Sequence, residues 1–208
     1  MVRKRKPSGR KGAQVGQRKT RRRNLRARFL IICEGKKTEP YYFDSFHGVS
    51  VSVKTIGTGL STVGLVDYAK RWRDEAKRKN EEFTDVWVVF DKDEFTNEDF
   101  QKAIRLAEKY GMSAAYSNPS FELWYLLHFE YRDSAIDRKT CIEALSKQLG
   151  KRYDKKSVTM RDELLLREQD AIERAQKLHQ SYHTHNPAQD NPCTTVYQLV
   201  KELNKHSR

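Results

Sequence analysis

The chain has 208 residues, enough for one domain with an appendage, and its 37% hydrophobic content is low but clustered enough for a single core. No run approaches the roughly 18–20 apolar residues of a membrane span, and no apolar h-region opens the chain, so neither a spanning helix nor a secretory signal is expected. Cys33, Cys141 and Cys193 are odd in number and form no CxxC, which argues against a disulfide framework or a cysteine-rich zinc site and fits a reducing cytoplasm.

The formal net charge of +13 is unevenly placed. Residues 1–28 hold thirteen of the 41 Lys and Arg and no acid, so the remaining 28 basic side chains balance the 28 acids. The glycine-containing segment 1–25 is expected to be disordered alone. Its Arg21, Arg22 and Arg23, with Arg26 just beyond, are the expected contacts to a polyanion, bound with release of counterions.

After this tail, Phe29–Cys33 reads as a strand ending at Glu34. Gly35 opens a turn, and Thr38 with Pro40 starts a helix expected to reach Phe46. A second strand is expected over Val49–Ile56. Ser61 caps a helix carrying Val66, Ala69, Trp72 and Ala76 at helical spacing. Val86–Phe90 is a third apolar run and ends at Asp91-Lys-Asp93. Thr96-x-x-Asp99 reads as a capping box for a helix that stops at Gly111. A short strand over Met112–Tyr116 then leads to an apolar helix over Ser120–Phe129. Such β-α alternation predicts an α/β fold, a mainly parallel sheet flanked by helices, over residues 26–130. Residues 131–208 read as an all-helical extension packed on that domain. Its helices are expected over Arg138–Leu149, Thr159–Tyr182 and from Thr194 or Thr195 onward, with a basic connector after Gly150.

In parallel sheets the ligand crevice lies beyond the carboxyl ends of the strands. Asp91 and Asp93 are two residues apart, so in extended backbone they point the same way. If their strand neighbours the first, they converge with Glu34 into an oxygen-rich site suited to Mg²⁺. The same acids also read as solvated loop residues or helix caps. Glu39 sits where the next helix begins, and Glu122 lies one turn into an apolar helix, either joining the site or pairing with a buried Arg or Lys. Lys36 and Lys37, beside Glu34, are candidate phosphate contacts. His179, His183 and His185 have a spacing that suits Zn²⁺, but read better as structural or solvent-facing histidines.

The segment Ile31-Ile32-Cys33-Glu34-Gly35 followed by Asp91–Asp93 resembles the Toprim domain of primases, topoisomerases and OLD-type nucleases. More specifically, Cys33–Tyr42, Asp91–Glu94, Ser117–His128 and Pro192–Val196 resemble the RloB family, related to abortive-infection nuclease components. That resemblance implies a Toprim-like sheet, Mg²⁺ or Mn²⁺ held by Glu34, Asp91 and Asp93, phosphodiester chemistry on DNA or RNA, and catalytic roles for Glu39 and Glu122. It also implies a phage-defence effector with a partner ATPase of the ABC/OLD type, since this chain lacks a GxxxxGK[ST] loop. Two other readings stand beside it: a haloacid-dehalogenase-like phosphatase, whose DxDx[TV] motif is met imperfectly here, and a non-catalytic module binding nucleic acid or the ribosome through its tail.

Overall fold

A computed structural model of the protein describes residues 26–46, 51–92 and 95–207. The expected tail over 1–25, with Arg21, Arg22 and Arg23, and the candidate ligand Asp93 lie outside the described residues.

Five strands form one sheet: β1 (Ala27–Cys33), β2 (Val51–Gly57), β3 (Asp85–Asp91), β4 (Ser113–Asn118) and β5 (Cys193–Thr194), in the spatial order β2-β1-β3-β4-β5. The first four are parallel and β5 is antiparallel to β4. This is the mixed α/β architecture expected from the alternating elements. Because side chains alternate across a strand, Phe29, Ile31, Cys33, Trp87 and Val89 face one layer, and Leu30, Ile32, Val86, Val88 and Phe90 face the other. Both layers are covered, which is why these strands read as unbroken apolar runs.

The second face is covered by α2 (Thr62–Arg78) and α3 (Asn97–Lys109), which contribute Leu65, Val66, Ala69, Phe100 and Ala103. Thr96 accepts the Asp99 N–H as the cap of α3, and Gly111, at φ +67°, takes the left-handed turn beyond it. The first face is covered by α1 (Thr38–Asp44), α4 (Glu122–Leu127), α5 (Arg138–Leu149), α7 (Glu168–Gln180) and α8 (Val196–Ser207), with α6 (Met160–Leu164) between α5 and α7. The extension after residue 130 therefore shares its core with the sheet.

Several elements differ from expectation. The extension is not only helical: its Cys193–Thr194 pairs with Ser117 and Asn118, and the Thr195 N–H donates to Tyr116 O at 2.8 Å. The helix expected over Ser120–Phe129 is six residues long, because its flanks close i→i−3 turns, Trp124 N to Phe121 O and His128 N to Tyr125 O. The expected long helix over Thr159–Tyr182 is interrupted by a 3-10 turn at Leu165–Arg167, which leaves Leu165 outside and Leu166 97% exposed. By contrast, α5 runs from Arg138 to Leu149 as expected, with Asp137 as its cap and Gly150 at φ +65° after it. No helix among the described residues is long and apolar enough to cross a membrane.

Candidate active site

Strands β1 and β3 are neighbours, with Cys33 opposite Val89, so Glu34 and Asp91 emerge together at the carboxyl rim of the sheet. The Glu34 N–H still donates to Val89 O at 2.9 Å, as a parallel ladder requires. Its carbonyl has turned away and accepts from Gly59 N at 2.7 Å. The Asp91 N–H donates instead to the Glu34 carboxylate, at 3.2 Å from Oε2. A side chain thus extends the ladder one step past the end of β1 and fixes one acid against the backbone of the other.

Glu39, the second residue of α1, is 5% exposed. Its carboxylate lies directly over Gly35, where a Cβ would come within 2.1 Å of Glu39 Oε2. Gly35 was expected to serve a tight turn, but its φ is not positive. Space for Glu39 is what demands glycine there. Gly57 is similarly constrained, since a Cβ on it would lie 2.6 Å from Gly35 O.

Glu122 opens α4 and is 1% exposed. Ser120 Oγ donates to its Oε2 at 2.7 Å. Two cations from the extension also approach it: Arg138 Nε at 3.9 Å from Oε2 and Lys155 Nζ at 3.8 Å from Oε1. Glu122 thus joins the site region as the partner of an Arg and a Lys.

These acids share an electrostatic environment. Burial pushes the Asp91 carboxyl well above its ordinary range, and the charges of Glu39, Glu122 and Glu34 push it further, against an opposing pull from Arg138. The Glu39 carboxyl is raised chiefly by burial and also by Glu122, while N–H groups of Glu39 and Gly35 and the Arg138 charge act the other way. Asp91 Oδ1 and Glu122 Oε1 are buried and accept no hydrogen bond.

Glu34, Glu39 and Asp91 line an open cleft of about 590 Å³, together with Lys36, Lys37, Arg138 and Lys155. Leu60 and Phe95 form apolar parts of its lining. Among the described residues, no three His, Cys, Asp or Glu side chains are grouped closely enough to hold a metal ion as they stand. Arg26, expected to contact nucleic acid, donates from Nε to Val51 O at 2.7 Å and so also ties the start of β1 to β2. The His179 and His185 rings stack at 4.1 Å. His179 contacts Tyr197 and His185 contacts Asp190, and among the described residues no metal-binding group includes them.

The sequence profile of the RloB-like proteins matches residues 29–203. The chain belongs to the RloB-like protein family. No match is found among curated proteins or among solved structures. In this RloB-like chain the matched span includes every acid of the cleft and both cations of the extension. Arg138 and Lys155 escaped sequence reasoning. Their only signal was indirect: Glu122, an acid in an apolar helix, needed a cationic partner whose position sequence spacing does not disclose.

Proposed function

We propose that this RloB-like protein is a Toprim-type, divalent-metal-dependent nuclease that hydrolyses phosphodiester bonds in DNA or RNA. The observation that carries this reading is the convergence of Glu34 and Asp91 at the ends of adjacent parallel strands, with buried Glu39 beside them and the charges of Glu39 and Glu34 both bearing on Asp91. An Asp91 oxygen that is buried without a donor is a liability in a finished core and a fitting ligand for a hard cation. Mg²⁺ or Mn²⁺ would be held by Glu34, Asp91 and Asp93. Bound there, the ion supplies Lewis acidity toward phosphate and lowers the pKa of a coordinated water.

The chain's own residues do the rest. The Glu34–Asp91 hydrogen bond holds the two acids in fixed relation. Glu39 adds negative charge close to both, and Lys36 and Lys37 at the cleft offer cations to the phosphate. We place the protein in the cytoplasm as the effector of an anti-phage abortive-infection or restriction-linked system. ATP use would come from a partner ATPase of the ABC/OLD type.

The test is cleavage of labelled DNA and RNA with Mg²⁺ or Mn²⁺, alone and with the partner ATPase. Asp91→Asn and Glu34→Gln are expected to abolish cleavage and to lose Mn²⁺ binding measured calorimetrically, while retaining the fold. Cleavage by both variants at the wild-type rate would refute the reading. The competing reading is a non-catalytic nucleic-acid or ribosome-binding module that uses the basic tail. It predicts no turnover with any metal or partner.

A further inference from the structure

The connections that follow β1, β2 and β3 leave the sheet to opposite sides. After β1 the chain turns to α1 on the first face, while after β2 and β3 it turns to α2 and α3 on the second. With β1 between β2 and β3, the rim opens where these connections part, as ligand crevices do in open α/β sheets. The divergence also sorts the cleft by chemistry. Lys36, Lys37 and Glu39 come from the segment entering α1, whereas Leu60 and Phe95 come from the connections to α2 and α3, where Ser61 is the polar member.

Both apolar side chains stand on turns that are tied to the strand ends bearing the acids. Thr58 donates to Cys33 O through its N–H at 3.0 Å and its Oγ1 at 3.1 Å, and that Oγ1 accepts the Leu60 N–H at 3.1 Å. Leu60 is thereby held beside the end of β1, 38% exposed. Across the cleft, the Lys92 N–H donates to Ser117 O at 2.8 Å, and the Lys92 carbonyl accepts the Phe95 N–H at 3.1 Å. Lys92 Nζ closes the same turn on Phe95 O at 2.7 Å. Phe95, partly exposed, is thus anchored through the residue that follows Asp91. Gly59, at φ +69°, leaves room for the Lys36 stem, since a Cβ there would lie 2.7 Å from Lys36 Cε. Lys36 therefore lays its methylenes over the residue before Leu60. Exposed apolar side chains are ordinary when scattered, but these two share one cleft with the paired acids.

We propose that Leu60 and Phe95 receive one unpaired nucleobase of the nucleic-acid strand whose phosphate meets the acids. A nucleotide is divided as the cleft is, with an anionic phosphate joined to a flat ring that presents a π-face. The phosphate matches the side of Lys36 and Lys37. The base matches the side of Leu60 and Phe95, where stacking on an aromatic ring accepts any base. A base inside a duplex has both faces covered and must first be unstacked to lie there. The substrate class is therefore single-stranded or locally unpaired nucleic acid. This deepens the nuclease reading and rests on it for where the phosphate lies.

The experiment measures binding of short labelled single strands of DNA and RNA to the full chain, at several salt concentrations. Ca²⁺ is present as a hard cation for the same oxygen ligands. Each strand is compared with its duplex and with an abasic strand of equal length, for wild type, Phe95→Ala, Phe95→Trp and Leu60→Ala. Phe95→Ala should weaken binding of the intact single strand about tenfold, and Leu60→Ala should weaken it to a smaller extent. Both should keep the wild-type salt slope, since no phosphate contact is lost. Neither should change affinity for the duplex or the abasic strand, and Phe95→Trp should bind as wild type does. Leu60 lies in an exposed loop, so its variant carries the test if Phe95→Ala fails to fold.

Wild-type affinity of both alanine variants for intact single strands would overturn the base site. An equal loss for duplex and single strand would overturn the unpaired base, and a free mononucleotide bound as tightly as the strand would overturn the strand as occupant. If the variants behave as expected but wild type never cleaves with Mg²⁺ or Mn²⁺, the base site stands and the nuclease reading falls. If wild type cleaves and neither variant alters strand binding, the nuclease reading stands and the base site falls.

Discussion

The Asp91 backbone N–H donates to the Glu34 carboxylate at 3.2 Å, so the two acids are coupled through the ladder of the sheet. One is held by its side chain and the other by its main chain. Of the Asp91 carboxylate, Oδ1 is buried and lacks a donor. A cation bound here should stabilise the fold as well as serve chemistry. Adding Mg²⁺ or Mn²⁺ at a hundred times its dissociation constant should raise stability by about 2.7 kcal/mol, read as a rise in Tm. Asp91→Asn should cancel the rise, and an equal rise in that variant would place the ion elsewhere.

Without metal, the same acids make stability depend on pH with a definite sign. The Asp91 and Glu39 carboxyls are raised in the fold, so the native state holds protons that the unfolded chain releases from about pH 4 upward. Their contribution is therefore present at low pH and lost as pH rises through the folded-state values. In EDTA, the stability of Asp91→Asn relative to wild type should grow as pH rises, measured by urea denaturation. A pH-independent difference would contradict this.

His128 acts in the opposite direction. It is 1% exposed, with Nδ1 at 2.9 Å from Trp124 O, and burial pushes its pKa from 6.5 to about 4. The unfolded chain takes up this proton first, so stability is full above pH 6.5 and is lost as pH falls toward 4. The loss amounts to roughly 3 kcal/mol at about 1.36 kcal/mol per pKa unit. His128→Gln should remove this acid-side loss, seen by comparing urea midpoints above and below pH 6.

Two glycines should respond differently to alanine. In Gly35→Ala the new methyl meets the Glu39 carboxylate, the end of a side chain, which can swing aside. Metal binding should fall at least tenfold, with less than about 1 kcal/mol lost from stability. In Gly57→Ala the methyl meets backbone, Gly35 O and Lys36 Cα, which cannot give. Stability should fall by about 1–3 kcal/mol. Equal effects of the two substitutions on both readouts would refute this distinction.

The tail and the cleft should separate in their salt response. Deleting residues 1–25 removes eleven Lys or Arg and should flatten the salt dependence of nucleic-acid binding, while leaving Mn²⁺ affinity unchanged. An unaltered slope would show that the tail makes no contact.

What was legible in the sequence was whatever local chemistry decides. The apolar runs stopping at Glu34 and Asp91, the cap at Thr96 and the glycine after Leu149 each need only a few neighbouring residues to declare themselves. The parts that stayed hidden depend on distant partners. Cys193–Thr194 is too short to show a strand period and becomes one only against Ser117 and Asn118. Glu122 looked anomalous alone, and its meaning arrived with Arg138 and Lys155, sixteen and thirty-three positions later. The interruption after Leu164 also escaped, since the apolar spacing continues across it with Ala171, Ile172, Ala175 and Leu178 buried beyond.

The pairing of β5 with β4 has a consequence for the birth of the protein. All the cleft's acids emerge from the ribosome early, but the sheet gains its last strand only at Cys193–Thr194, and the helix that follows sets His206 against Phe29 of the first strand, with ring centres 5.8 Å apart. A chain cut short by stalled translation or a premature stop carries the acids without the lock. Closure of the sheet beside β4 thereby waits on a segment that follows every acid of the cleft along the chain.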